Sequence, residues 1–340
     1  MIEANKKGSR PRAFGAVMLA GIAGLLLALV SSVSVGAADI DFLTVWEAVF
    51  QYNKALHQHQ IIQELRLPRA LAGALTGACF AVAGAVMQGM TRNPLADPGL
   101  LGINAGAGFA LALSFSFLPG LSYQQLMGFS FLGAALGTGL VFGIGALARG
   151  GMSPLRLVLA GASVTALLTA LSQGVALYFR VGQELDFWFA GGLSGMKWQH
   201  VQLLAPWTAA GLLVSLLLAR PLTILGMGEE VAAGLGQRSG LVKFACSIVV
   251  LVLAGAAVSA VGVVGFVGLI IPHMARSLVG ADYRLVIPCS AVLGSLLMVV
   301  ADMGARLVNL NFETPVGAVI ALIGVPFFLF LTRWQRRSME

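Results

Sequence analysis

Long apolar segments dominate this chain of 340 residues, and they leave few folds open to it. A helix needs about 20 apolar residues to cross the hydrocarbon core of a bilayer. Segments of this kind lie at about 13–36, 68–90, 99–118, 127–148, 155–179, 201–219, 241–262, 264–280, 285–303 and 315–332. Only 10% of the residues are charged, whereas soluble domains carry about 25%. The sequence therefore predicts an all-α polytopic membrane protein with ten transmembrane helices.

These segments divide the chain into a tail at 1–12, a transmembrane domain at 13–332 and a second tail at 333–340. Ten spans with their loops leave no room for a soluble catalytic domain. The first span follows basic residues, as the apolar region of a secretory signal peptide does. It exceeds the usual length of about 7–15 residues for such a region, which favours a first helix that is retained.

The basic residues predict the orientation of the chain. Ten spans place both termini on one side, and that side holds 15 of the 21 lysines and arginines. Cytoplasmic loops carry such an excess in membrane proteins, so we expect both termini in the cytoplasm. The net charge of +7 is explained in this way, and it predicts a lipid bilayer rather than nucleic acid as the partner.

The interior of the predicted bundle is almost uncharged. No Asp, Glu, Lys or Arg falls in the middle of a predicted span, whereas ion-coupled transporters usually place ionisable groups there. A sodium site built from backbone carbonyls of broken helices would escape this test. An ion-coupled secondary transporter therefore remains the alternative from another class.

Enzymatic chemistry finds little support in the sequence. The three cysteines lie far apart without a CxxC pattern, so we expect no disulfide framework, metal site or cofactor. No lysine lies in a G-x-x-x-x-G-K-[ST] loop, so ATP hydrolysis would require a separate subunit. A membrane-embedded hydrolase needs a nucleophile beside a base, and His273 has no Ser or Cys motif around it.

Two short motifs are candidates for contacts with partners. Arg66-Leu67-Pro68-Arg69 precedes the second span on the outer side, and paired guanidinium groups suit the carboxylates of a docking protein. Anchoring of a helix end at lipid headgroups is the alternative. On the inner side, the loop Gly228–Gly236 carries acidic residues at the start of a short amphipathic stretch. It suits contact with an ATPase, or it is an ordinary surface helix.

Several motifs together give a specific resemblance. LRLPR, GAVMQG followed by RNPLADPGLLG, LAGASV, the GExxAxxLG loop and GFVGLIIPHMAR occur in this order. ADMGARL and ETPVGAVIALIGVPFFLFL follow them. This set resembles the FecCD family of permeases, the membrane subunits of type II ABC importers for iron–siderophores, haem and cobalamin.

The resemblance implies a type II ABC importer permease fold with ten helices and a dimer of identical or similar permease chains. It implies two ABC ATPase subunits and a substrate-binding protein, periplasmic or lipid-anchored, as the other partners. It also implies roles for three groups of residues. They are Arg66, Arg69 and Arg306 for docking of the binding protein; Gly228, Glu229, Glu230, Ala232, Leu235 and Gly236, within a loop at about 220–240, for ATPase coupling; and Trp188 and Gly191 beside the substrate path.

The expected function is therefore that of a non-catalytic permease subunit. It would carry ferric siderophores across the cytoplasmic membrane, with energy from separate ATPase subunits. The same mechanism with haem or cobalamin as cargo is the nearest alternative.

Overall fold

The computed structural model describes residues 11–35, 40–147, 154–308 and 314–337. Lys6, Lys7, Arg10 and Arg149, which contribute to the charge count above, lie outside the described residues. Within them, nearly all residues lie in helices or in short links between helices. The α-helices are α1 (Pro11–Ser34), α2 (Phe42–Phe50), α3 (His57–Ile61), α4 (Leu67–Thr91), α5 (Ile103–Phe117), α6 (Tyr123–Leu147), α7 (Pro154–Phe179), α8 (Gly182–Ala190), α9 (Trp198–Gly226), α10 (Glu229–Gly234), α11 (Ser239–Val261), α12 (Val267–Val279), α13 (Tyr283–Val308) and α14 (Val316–Arg337).

Seven helices in the described part of the chain are long and apolar enough to cross a bilayer, namely α1, α4, α6, α7, α9, α11 and α13. Three shorter apolar helices, at Ile103–Phe117, Val267–Val279 and Val316–Leu329, lie on the other three predicted segments. The structure therefore confirms an all-helical, multi-pass membrane protein.

Helix α4 lies at the centre of the bundle. Of its best spanning window 83% is buried, against 11% for α1, and α13, α11, α9 and α12 all pack around it. Its many glycines and alanines allow this, because small side chains let helix backbones approach closely. A Cβ on Gly77 would lie 2.7 Å from the Cβ of Met298 on α13.

The link between α11 and α12 is not helical. Gly262 at its start has φ of 73° and Phe266 at its end has φ of 67°. Helix α12 has 13 residues, about 20 Å, which is shorter than the bilayer core of about 30 Å. Non-helical backbone at membrane depth is tolerated where protein covers it. Here the Gly192 N–H donates to the Val261 carbonyl at 2.8 Å, and this bond joins the link to the segment after α8.

Side-chain contacts show which connecting segments lie together at each end of the bundle. At one end Trp198 Nε1 donates to the Gln63 carbonyl at 2.7 Å, which joins the start of α9 to the turn before α4. At the other end the Thr223 hydroxyl lies 3.3 Å from Asp282, which joins the end of α9 to the link between α12 and α13. The predicted docking and coupling residues therefore lie at opposite ends.

Candidate functional site

Arg69 is held by a buried carboxylate. The segment Ile62–Arg66 is a single π-helical turn that leads directly into α4. Pro68 follows this turn and has no N–H to donate, and the Gln63 carbonyl accepts a hydrogen bond from Trp198. Arg69 projects from the first turn of α4 to Asp302 of α13, with Nη2 2.9 Å and Nε 3.1 Å from Oδ1. The Asp302 side chain is only 2% exposed. The pair therefore joins α4 to α13.

Arg306 and Arg66 bind the end of α1. Arg306 Nη1 donates to the carbonyls of Ser32 at 3.0 Å and Val35 at 3.1 Å. Arg66 Nη1 donates to two neighbouring carbonyls, those of Val33 and Ser34, each at 2.7 Å. The last carbonyls of a helix have no partner within the helix, and cations are favoured at that end of its dipole. The two arginines therefore serve as a C-terminal cap for α1.

Asp302 joins Arg69 to Arg306, and Arg66 and Arg306 meet at the end of α1; we call Arg66, Arg69, Arg306 and Asp302 the arginine cluster. Arg306 Nε lies 3.3 Å from Asp302 Oδ2, so one carboxylate pairs with two guanidinium groups. The structure thus brings together the three arginines that the resemblance singled out. It shows them half-buried among α1, α4 and α13 rather than extended into solvent.

Asp302 is the member of this cluster that the sequence analysis did not single out. The segment was predicted to end near residue 303, whereas α13 continues to Val308. Asp302 is therefore more than a turn inside a helix. The available signal was its spacing from Arg306, because an acid and a base four residues apart share one face of a helix.

The opposite end of the bundle presents the short helix α10. Gly228 and Gly236 bracket it with φ of 126° and 77°, a backbone conformation that favours glycine. Ala232 is fully buried and holds the helix against the bundle. Glu229 Oε1 accepts hydrogen bonds from Lys243 Nζ at 2.7 Å and Arg92 Nη2 at 3.3 Å.

Glu229 therefore fastens α10 to the ends of two long helices, since Lys243 lies on α11 and Arg92 follows α4. The hydrogen bond from Lys243 lowers the pKa of the Glu229 carboxyl, against the opposing effect of its partial burial. The carboxylate thus stays charged and paired at neutral pH. Glu230, the other acidic residue of the predicted coupling segment, is exposed.

Three apolar side chains are exposed on α10 and at the residues that flank it. Met227, Val231 and Leu235 are 59%, 47% and 66% exposed. Val231 and Leu235 lie four residues apart and form one stripe along α10, whereas Met227 lies before the non-helical Gly228. Singly exposed apolar side chains are common on protein surfaces, whereas a contiguous stripe on a polar loop marks a contact surface.

Trp188 and Gly191 lie against the non-helical link between α11 and α12. Trp188 is half-buried on α8, and its carbonyl accepts the Gly191 N–H at 3.1 Å. Gly191 has φ of 69°, and a Cβ there would lie 3.0 Å from the Val263 carbonyl oxygen. The structure thus places both predicted path residues beside this link.

Comparison with known proteins identifies what this chain is similar to. The sequence profile of the FecCD transport family matches residues 24–334. The iron(3+)-hydroxamate import system permease protein FhuB of Bacillus subtilis (strain 168) is 52% identical over 330 residues, which cover 96% of this chain and 86% of that protein. The Fe(3+)-citrate import system permease protein YfmD of the same organism is 40% identical over 97% of each chain.

A solved structure shares the fold. It is an inward-facing metal-chelate type ABC transporter, with a TM-score of 0.83 and 28% identity over 94% of this chain and 99% of that one. A profile match over 311 residues and relatives of this similarity leave one conclusion. The chain belongs to the FecCD transport family.

Proposed function

We propose that this chain is the membrane-spanning subunit of an ABC importer that carries ferric siderophores across the cytoplasmic membrane. The observation that carries the proposal is the 52% identity, over 96% of the chain, to an iron(3+)-hydroxamate import permease. Iron–hydroxamate complexes are therefore the first cargo to test. In this proposal the three shorter apolar helices also cross the membrane, which gives ten spans and places both termini in the cytoplasm.

The arginine cluster is the proposed docking surface for a substrate-binding protein. Three guanidinium groups lie within one small region at the predicted outer end, and two of them pair with Asp302. Arginine forks bind carboxylates bidentately, so an acidic surface on the binding protein suits this region. The internal bonds of the cluster would hold the guanidinium groups in place before the partner arrives.

Helix α10 is the proposed contact with the ATPase subunits. The exposed apolar side chains of Met227, Val231 and Leu235 supply the surface, while Glu229 fastens α10 to α4 and α11. A movement imposed on α10 would therefore reach the ends of two long helices. Rigid-body shifts of helices are a common way of switching between conformations. Trp188 and Gly191 would lie beside the substrate path, next to the non-helical link.

Uptake of radiolabelled iron tests the proposed cargo. Iron-starved cells with and without this chain would be given iron as hydroxamate, citrate and catecholate complexes, with haem and cobalamin alongside. Loss of hydroxamate-iron uptake on deletion, restored by the gene, is expected. Loss of haem or cobalamin uptake alone would keep the importer mechanism and replace the cargo.

The energy source separates an ABC importer from an ion-coupled transporter. In proteoliposomes that hold the assembled complex, uptake should require ATP on the side of α10 and persist when an ionophore collapses ion gradients. Uptake without ATP that follows an imposed gradient would contradict the proposal.

A double variant tests the docking surface. We expect Arg66→Glu/Arg69→Glu to lose delivery from the binding protein; because the change also removes the Arg69–Asp302 pair, the variant must still assemble with its ATPase subunits and hydrolyse ATP for the loss to report docking. Arg180→Glu is a matched control, because Arg180 is an exposed arginine beyond the end of α7, away from the cluster. Normal uptake by the double variant would refute the docking assignment.

A further inference from the structure

Helix α2 exposes an unusually apolar surface for a connecting segment. Phe42, Leu43, Trp46 and Phe50 are 59–65% exposed, and Val49 is 40% exposed. The Trp46 and Phe50 rings lie 4.3 Å apart, centroid to centroid. A patch of this kind normally marks a contact with a membrane or a protein.

The three faces of α2 are chemically distinct. At 100° per residue, the five exposed apolar residues fall within a sector of about 120°. Val45 and Ala48 form a second sector, which is buried against the bundle. Thr44 and Glu47 occupy the remaining sector, and Glu47 is exposed.

The buried face of α2 is firmly attached. Val45 and Ala48 pack in one cluster with Val33 of α1 and Ile62 before α4. The Ala48 carbonyl accepts a hydrogen bond from Gln63 Nε2 at 2.7 Å. The exposed apolar sector is therefore held at a fixed angle to the bundle, next to the end of α1.

The neighbour of α2 indicates what covers this sector. Helix α1 contacts α2 and is the least buried of the seven long helices. Leu26, Leu27 and Val30 near its end are 59%, 70% and 44% exposed, so they face the lipid that surrounds this multi-pass protein. The apolar sector of α2 lies next to the end of this exposed helix, because Val45 and Ala48 pack in one cluster with Val33.

We propose that α2 lies in the interfacial layer of the outer leaflet, with Phe42, Leu43, Trp46, Val49 and Phe50 inserted among lipid chains and Glu47 in water. A helix with one face on protein, one in lipid and one in water needs the three sectors observed here. Tryptophan suits this layer because its ring is apolar and its indole N–H is polar. The assignment to the outer leaflet rests on the proposed function, in which both termini lie in the cytoplasm.

Site-directed spin labelling tests this placement in the intact importer. The three native cysteines are buried, and a Cys79→Ala/Cys246→Ala/Cys289→Ala background that retains uptake would receive one new cysteine at a time. Trp46→Cys and Phe50→Cys report the apolar sector, and Glu47→Cys is the matched control on the same helix. Collisions with oxygen, which concentrates in lipid, would be compared with collisions with a water-soluble nickel chelate.

The oxygen-to-nickel ratio at positions 46 and 50 should exceed that at position 47 several-fold, in liposomes that contain the assembled complex. Equal ratios at all three positions would place α2 in water and overturn the proposal. Loss of both kinds of collision at 46 and 50 would overturn it in favour of a protein contact. A complex that shows the lipid pattern but does not import iron would refute the proposed cargo and leave the placement of α2 intact.

Discussion

Replacement of Gly77 by alanine should force α4 and α13 apart. A Cβ on Gly77 would lie 2.7 Å from the Met298 Cβ and 2.8 Å from the Gly294 carbonyl carbon. The Gly294 carbonyl oxygen lies closer still, and ordinary contact begins at 3.4 Å, so the two helices must separate locally by at least about 0.7 Å. Overpacking of this kind costs about 1–3 kcal/mol. The gain in helix propensity from Gly to Ala, about 1 kcal/mol, offsets part of this cost.

Gly139→Ala is the matched control. Gly139 is exposed on α6, and a Cβ there would meet nothing within 4 Å, so this variant gains the propensity without the clash. The assay is the temperature at which half of the detergent-solubilised chain still elutes as a single species in size-exclusion chromatography. Gly77→Ala should melt several degrees below wild type, and Gly139→Ala at or slightly above it.

Equal melting temperatures for the two variants would refute this reasoning. That result would mean that α4 and α13 can separate locally without loss of stability, or that their contact is looser than the structure shows. A more stable Gly77→Ala would refute it more strongly, because the gain in propensity would then outweigh the clash.

Three further predictions concern the two ends of the bundle. Glu229→Gln should lower ATP-dependent uptake more than Lys243→Gln, because Arg92 still pairs with Glu229 in the second variant. Equal uptake by the two variants would contradict the proposal that Glu229 fastens α10 to α4 and α11. A spin label at Leu235→Cys should stay equally ordered as the pH falls from neutral to about 5 and loosen only below the ordinary carboxyl pKa of about 4.3. The label loosens toward low pH because the pKa of Glu229 is lowered in the folded chain, and such a group loses its stabilising charge as the pH falls through the folded-state pKa. In Glu229→Gln the label should be mobile at every pH. Asp302→Asn should destabilise the chain by up to about 3–5 kcal/mol, because it removes the carboxylate that pairs with Arg69 and Arg306. Asp302→Glu should lose less stability, and thermal melting of the two variants compares them.

The arginine cluster shows how far sequence reasoning reached at one site. The motif drew attention to Arg66, Arg69 and Arg306, because paired arginines before a helix suit an acidic partner. It did not indicate that Arg66 and Arg306 cap α1, since that contact joins residues more than 30 positions apart. Which groups meet over such separations depends on helix packing, and hydropathy carries no information about it.

The local structure of residues 228–236 was better predicted. Glycines at 228 and 236 around acidic and apolar residues predicted a short helix between them, and α10 occupies Glu229–Gly234. Nothing in the sequence pattern pairs Glu229 with Lys243 and Arg92. Electrostatic pairing across loops requires knowledge of where α4 and α11 end relative to each other.

The environment of the chain follows from its sequence alone. So few charged residues and so many long apolar segments require a bilayer. Helices then follow, because backbone polar groups in a bilayer must form hydrogen bonds within the segment. The face of each helix that packs against protein is known only from the tertiary structure. Gly133 and Gly137 approach the α5 backbone, whereas Gly139 and Gly143, with the same spacing on the same helix, face open space. Lipid and protein interiors are equally apolar, so hydropathy cannot distinguish them, and close packing decides the arrangement.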